Sequence, residues 1–453
     1  MAARLQFDLN LGPAKNRRAS GGQGPMRLLV MGDFSGRPAA ERPPLATRPT
    51  HKVDIDNLDT VINRLAPRLH LAGGTVEFGQ LDDFHPDSLY MRLELFQALR
   101  QARANPPQGN DSLLGQLLGG TPAVAVPAPA ATPAAGIDAF IRGIVAPHIV
   151  KDTSAQTQPH VAAVDAATTE QMRRLLHDPA FQSLESAWRG VQWLIASLEL
   201  DENLQLHVFD VTRDELLADV VAAQGQLAQT GLYRALADRW RNVPGGESWS
   251  AVCGLYTFEP SDADIGLLAA LGLIASQAGG PLLAAGDPAL AGDDAAVLAG
   301  WQALRGSEAA PWIGLAAPRV LLRLPYGKAS DPISAFTFEE FGGAPVHSEY
   351  LWGNGGLACA LLIGRTFSTR GWDFEPGDER EIGELPAYTY LQDGERELQA
   401  CAEHYLGEQG GNTLLQAGLM PVMSHRHANA VTVMRFQSVA APAAPLAGLA
   451  PAG

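Results

Sequence analysis

His425 and His427, in SHRHAN, stand two residues apart, a spacing that puts two imidazoles on one face of a strand where they could ligate a metal. No carboxylate or thiol lies near them in sequence, so a polar loop pair is the plainer expectation. Asp82, Asp83 and His85 bring oxygen and nitrogen donors together just before a helix. Acidic groups at that position also accept the free amide hydrogens of the first turn and complement the helix dipole, and capping is expected of them. Glu339 and Glu340 have the chemistry of a general acid and base, but neighbours on a strand face apart and a working pair must converge. Arg319 and Arg323 lie four apart within the apolar run 312–327, WIGLAAPRVLLRLPYG. Buried arginine requires acidic partners, for which Glu339 and Glu340 are candidates, and structural salt bridging is expected in preference to an anion site.

Motifs with a fixed mechanism are missing. Ser35 in GDFSG does not meet the GxSxG spacing of a hydrolase elbow, and HExxH does not occur. Arg27 to Met31 reads as a strand broken by Gly32-Asp33-Phe34-Ser35-Gly36, yet neither GxGxxG nor GxxxxGK[ST] is present, and Pro38 with Pro43-Pro44 opposes a helix there. The segment reads as a turn. Cys253, Cys359 and Cys401 are far apart and form no CxxC, which argues against a disulfide framework and a structural zinc. All are expected to be reduced thiols, with Cys253 and Cys359 in core. No catalytic, cofactor-binding or metal-ligating residue is therefore assigned. An unrecognised hydrolase would rest only on scattered Ser, His and Asp, with His425, His427, Asp82 and Asp83 as its candidates.

The elements that must position these residues centre on Leu175 to Leu198, LLHDPAFQSLESAWRGVQWLIASL. Asp178 before Pro179 is a helix start, and Phe181, Leu184, Trp188, Val191, Ile195 and Leu198 come after it at steps of three and four, one buried stripe. Gln182, Glu185, Ser186, Arg189 and Gln192 fall elsewhere. Gly190 costs ~1 kcal/mol relative to Ala in mid-helix, which fits another backbone passing close. That packing favours Arg189 being paired with a buried carboxylate.

Before this helix, Asp56 to Ala66 reads as a helix, Thr75 to Gly79 as a strand and Pro86 to Arg103 as a helix. After it come a strand at Leu206 to Val211, helical stretches at Asp214 to Ala228 and Leu232 to Arg241, and a strand at Ser250 to Phe258. A helix at Asp262 to Gln277, a loop at 286–296, a buried helix at Tyr350 to Phe367 and a strand at Val431 to Phe436 complete the pattern. Helices and strands interleave, so the fold class is α/β in a mixed α+β sense. Residues 121–136, TPAVAVPAPAATPAAG, hold seven Ala and four Pro in sixteen positions and read as a spacer. A chain of 453 residues divides accordingly: a disordered basic arm at 1–25, a small α+β domain at 26–105, a linker at 106–136 with a short apolar stretch at Leu113 to Leu118, a larger α/β domain at 137–440 opening with Ile137 to Val150, and a flexible tail at 441–453.

Residues 1–50 carry eight Lys or Arg against Asp8, Asp33 and Glu41, while the remaining chain holds 25 basic and 46 acidic residues. A body so acidic repels nucleic acid and anionic membrane, and the basic leader is expected to be solvated, although its alternating Leu5, Phe7, Leu9 and Leu11 could add an edge strand to a sheet. With no apolar run of about 18 residues and no leader pattern, no membrane span and a cytoplasmic location are expected.

Several stretches together resemble the type VI secretion contractile sheath. MRLLVMGDFSGR, VDIDNLDTVI and LDDFHPDSL, over about 26–103, resemble its small subunit, the TssB or VipA type. LLHDPAFQSLESAWRG, LRGSEAAPWIGLAAPRVLLRLPYG, FTFEEF, YLWGNGGLACALL and FQS, over about 137–440, resemble the large subunit, the TssC, VipB or ImpC/EvpB type. The resemblance implies a structural protein without catalytic residues or cofactors. It implies partnership with other sheath protomers or subunits and an inner-tube protein, with baseplate proteins and a AAA+ recycling ATPase as further partners. In that family the two parts are typically separate chains, and here they are fused. The long helical extension of the small subunit has no counterpart after Arg103 and the chain stops soon after FQS, which motivates an alternative expectation, a non-polymerising adaptor or cap that docks on the sheath or baseplate.

Overall fold

The computed structural model describes residues 24–71, 74–104, 144–145, 157–292, 295–343, 346–392 and 395–449. The expectations for the basic arm before residue 24, the linker 106–136 and, apart from residues 144 and 145, the opening stretch Ile137 to Val150 lie outside them.

Its strands are β1 (Met26–Gly32), β2 (His51–Val53), β3 (Arg68–Leu71), β4 (Gly74–Glu77), β5 (Leu204–Asp210), β6 (Ala251–Phe258), β7 (Leu282–Gly286), β8 (Ile313–Ala317), β9 (Val320–Leu321), β10 (Trp352–Gly353), β11 (Glu381–Ile382), β12 (Thr389–Gln392), β13 (Glu395–Leu398), β14 (Leu419–Ser424) and β15 (Val431–Val433). Its principal helices are α1 (Leu58–Leu65), α2 (Pro86–Arg92), α3 (Glu94–Ala104), α4 (Thr157–Leu176), α5 (Pro179–Ser197), α6 (Arg213–Ala222), α7 (Asp262–Ala278), α8 (Ala295–Arg305), α9 (Gly355–Arg370) and α10 (Glu408–Gln416). This is the mixed α/β class expected from the sequence. The contacts group the chain into two compact units: Met1–Pro67, Ser183–Leu324 and Tyr350–Gly453 in the first, Arg68–Gln182 and Pro325–Glu349 in the second.

The first unit is built on a nine-stranded sheet in the order β11-β15-β14-β8-β7-β6-β1-β5-β2. From β14 to β5 every neighbour is parallel, and at the two ends the pairs β2–β5, β15–β14 and β11–β15 are antiparallel. Every residue of β1, β7 and β8 is buried, as parallel strands covered on both faces require. β1 is the unexpected member. It pairs with β5 from Met26↔Leu204 to Gly32↔Asp210, and on its other side with β6 from Leu28↔Ala251 to Met31↔Gly254. A strand from the first tenth of the chain thus joins two strands that otherwise do not touch.

α5 begins where the sequence places it, with Asp178 Oδ1 accepting from the Ala180 and Phe181 amides at 2.9 and 3.1 Å. The whole predicted stripe is buried. Trp188 is fully enclosed, its indole N–H donating to Phe34 O at 3.0 Å and its ring tilted against that of Phe34 at 5.0 Å. The close approach at Gly190 is not a backbone: a Cβ there would lie 2.6 Å from Leu357 Cδ1 of α9. Glu185, placed off the stripe by its spacing, is also fully buried.

Other expectations shift at their ends. The helix read from Tyr350 starts only at Gly355, because Trp352 and Gly353 pair with β9 and Asn354 caps the helix by accepting from the Gly356 amide at 2.9 Å. The single helix read over Pro86 to Arg103 is α2 and α3, divided at Leu93, whose ψ of 135° is extended. Within the expected flexible tail, residues 446–449 pack inward while 441–443 are exposed: Leu446 and Leu449 are buried and the Ala447 amide donates to Pro311 O at 2.8 Å.

The second unit joins the hairpin β3–β4 and helices α2, α3 and α4 to the segment 325–349. Phe78 stacks on Phe84 at 4.1 Å, and Phe181 meets Phe84 edge-on at 5.8 Å. Asp87 accepts from the Ser334 amide and hydroxyl and the Ala335 amide at 2.8 to 2.9 Å, and Tyr90 stacks on Phe336. Those amide donors and the Ser334 hydroxyl hold the Asp87 carboxyl below its usual range although its desolvation works the other way.

Candidate protein interface

The residues singled out for chemistry sit in ordinary structural roles. His425 lies just past β14 on an exposed turn, with Nε2 2.8 Å from Thr432 Oγ1, and His427 is exposed farther along it. Among the described residues no group of three or more His, Cys, Asp or Glu could hold a metal. Asp83 accepts from the Gly79 and Gln80 amides and pairs with Arg92 at 2.6 Å, His85 caps α2 through the Asp87 amide, and Asp82 is exposed. Glu339 accepts from the Lys328 amide, while Glu340 accepts from the Tyr326 amide at 2.7 Å and lies 3.5 Å from His177 Nε2.

Arg319 takes its acid from elsewhere than the candidates Glu339 and Glu340. It pairs with Glu403 at 2.6 Å, a residue that no local spacing could connect to it. Arg323 bonds Glu185 at 3.0 Å, and Arg189 reaches the same Glu185 oxygen at 2.6 Å from one turn farther along α5. A buried carboxylate between two arginines is strongly destabilised when one partner is lost. Arg189→Ala is expected to cost about 3 kcal/mol in urea denaturation of the whole chain, and a cost under about 1 kcal/mol would mark it as a solvated charge.

All three cysteines are free and buried. Burial raises each thiol, Cys359 to about 12 and Cys401 to about 11, with Cys253 higher still. A thiol reagent at neutral pH is expected to leave the native protein unlabelled and to modify all 3 after denaturation.

The main concentration of buried charge lies where β1 and β5 end together. Asp33 closes the turn after β1 by accepting from the Gly36 amide at 2.7 Å. Asp210, the last residue of β5, accepts from the Phe34 and Ser35 amides at 2.8 and 3.1 Å and from the Ser35 hydroxyl at 2.7 Å. Arg42 donates to Asp33 at 2.7 Å, Asp210 at 3.2 Å and Glu215 at 3.4 Å. Arg48 donates to Glu215 at 2.7 Å and to the Asp210 carbonyl at 2.6 Å. Glu215 also completes a capping box with Thr212 at the start of α6. Arg42 and Arg48 are 7% and 4% exposed, so their pairs with the buried Asp210 and Glu215 are desolvated, while Asp33 is half-buried at the edge of the cluster.

Burial alone would raise the Glu215 carboxyl, but the hydrogen bonds from Arg48 and Thr212 and the charges of Arg48 and Arg42 bring it below its usual range. Asp33 stays raised by desolvation, against the pull of Arg42. The Ser35 hydroxyl donates a hydrogen bond to the Asp210 carboxylate, which is also paired with Arg42, an arrangement that holds the turn after β1. The sequence signal for this cluster was only the excess of arginine after β1.

A second contact fixes the start of β1. Arg27 pairs with Glu247 at 2.5 Å, its guanidinium 4.4 Å from the Trp240 ring centroid and 5.2 Å from that of Trp249. His207 packs edge-on to Trp249. Burial, then the charges of Arg27 and Lys52, push its imidazole down to about 3. The unfolded histidine titrates near roughly 6.5, so between those values the unfolded chain binds the extra proton and stability falls as the pH drops, by at most about 1.4 kcal/mol per pH unit. Denaturant midpoints measured from pH 7 down to 4 are expected to show this acid slope, and His207→Phe to reduce it.

Residues 158–298 and 293–440, more than half of the chain, match the VipB family, described as EvpB/VC_A0108, tail sheath N-terminal domain. The chain belongs to this tail-sheath family. Residues 4–106 match a second family, described as Type VI secretion system, VipA, VC_A0107 or Hcp2. The type VI secretion system sheath protein TssC1 of Pseudomonas aeruginosa is 31% identical over 318 residues, 65% of this chain and 64% of that protein. The chain therefore spans under two thirds of the length of this curated relative.

These matches place the charge cluster. Asp33, Arg42 and Arg48 lie in the VipA-type segment, Asp210 and Glu215 in the VipB-type segment, and β1 of the one segment is hydrogen-bonded on both sides to strands of the other. No described helix is long and apolar enough to cross a membrane.

Proposed function

We infer that this chain is a fused protomer of a type VI secretion contractile sheath, carrying a small-subunit module at 26–105 and a large-subunit module at 137–440 joined through 106–136. The observation that carries the reading is β1: a strand of the VipA-type segment sits in the middle of the VipB-type sheet, so one chain supplies both parts of a complete sheet. The protein acts through shape and interfaces, without catalytic residues, and works in the cytoplasm. Its partners are other protomers or sheath subunits and an inner-tube protein, with baseplate proteins and a AAA+ ATPase acting on the assembled sheath. Electron microscopy of the purified chain, alone and with the inner-tube protein, tests this. Helical tubes of regular diameter are expected, and monodisperse particles under both conditions would overturn self-assembly.

A further inference from the structure

The backbone slot that β1 fills is chemically permissive. Apart from Arg27, which pairs with Glu247 at the strand's start, the parallel ladder bonds to β5 and β6 and the apolar residues of MRLLVMG place no demand that another apolar strand could not meet. Discrimination beyond that one pair has to come from the residues that follow the strand. We propose that Asp33, Arg42, Arg48, Asp210 and Glu215 form a pairing lock, which admits to the slot an amino-terminal segment that brings both arginines and rejects one that does not. The partner this surface fits is such a segment from this chain or from a second copy of it.

The physical basis is an asymmetry. When either side of a desolvated ion pair is missing, the charges on the other side stay buried without partners, whereas removal of both sides leaves no orphan. Here two arginines of one segment face two carboxylates of the other, and four side-chain contacts of 2.7 to 3.4 Å cross or close the seam. A mismatched segment therefore meets a penalty that its ladder bonds do not offset, which is specificity by rejection. Exchange of amino-terminal segments between copies is read directly by co-expression. The lock operates when the fold assembles and does not depend on polymerisation, so it can fail while the sheath reading stands, and the reverse.

The test uses whole chains. Arg42→Ala/Arg48→Ala and Asp210→Asn/Glu215→Gln, the latter chosen to remove charge while keeping an acceptor for the Phe34, Ser35 and Thr212 amides, are produced separately, together, and each with the unaltered chain, and soluble, cooperatively unfolding protein is measured. Each double variant alone is expected to fall at least tenfold in yield. Co-expressed, the two should rescue each other at least fivefold, since exchange yields one intact seam and one seam free of orphans, and the unaltered chain should rescue neither. The quadruple variant should recover to within about threefold of the unaltered chain. Undiminished double variants, no mutual rescue, equal rescue by the unaltered chain, or a quadruple variant as poor as the doubles would each overturn the lock.

Discussion

Deletion of residues 1–105 is expected to leave the remaining chain without a stable sheet, although every large-domain core helix is retained. Among the described strands β5 is bonded to β1 and β2 alone, and β6 to β1 and β7, so removing the amino-terminal segment strips β5 of both neighbours and leaves β6 with a bare edge. Met26, Leu28, Leu29, Val30 and Met31 are all buried, and at roughly 1.5 to 3 kcal/mol for each apolar side chain the strand contributes as much as a domain's whole stability of about 5 to 15 kcal/mol. Circular dichroism and urea denaturation of the 106–453 chain should show no cooperative transition, and co-expression with 1–105 should restore one. A 106–453 chain that unfolds like the parent would show that β1 is dispensable.

The second large effect is expected at Trp188. Trp188→Ala removes a fully buried indole from α5 and should cost about 3 to 5 kcal/mol, with the loss of the hydrogen bond to Phe34 O included in that range. Phe34 lies just beyond β1, so the cavity opens against the same strand on which the sheet depends. The measurement requires the whole chain, since a fragment beginning at residue 137 would lack Phe34 and β1 together. Trp188→Phe should retain more than half of the lost stability, because an aromatic ring still meets Phe34. An alanine variant as stable as the parent would refute the core role of α5.

Local order was legible in the sequence where one pattern dominates. The stripe on α5, the start of α7 at Asp262 and the apolar runs of β1, β5 and β6 are set by periodicity and capping residues within a few positions. β7 and β8, LLAAG and IGLAA, went unread as strands because alanine and glycine carry little strand preference, and only the flanking strands make them extended. The start of α9 yielded to tertiary pairing, since Trp352 and Gly353 join β9. The acids facing Arg319, Arg42 and Arg48 could not be read at all: Glu403, Asp210 and Glu215 are brought in by strand order, and strand order is decided by contacts far apart in sequence. What was legible at the seam was the supply of cations and the turn at Gly32 to Gly36, without the carboxylates they meet.

The position of β1 also sets a timetable. A ribosome releases this strand early, but its neighbours β5 and β6 begin only at Leu204 and Ala251. At about 5 to 20 residues per second, β1 waits some 10 to 45 s for a complete slot. Until β5 is made the nascent chain displays MRLLVMG with both edges unpaired, and until β6 follows one edge stays open, a short apolar segment of the kind that seeds association between neighbouring polypeptides. Slower synthesis lengthens that exposure, so yield is expected to depend on synthesis rate as well as on the stability of the finished sheet.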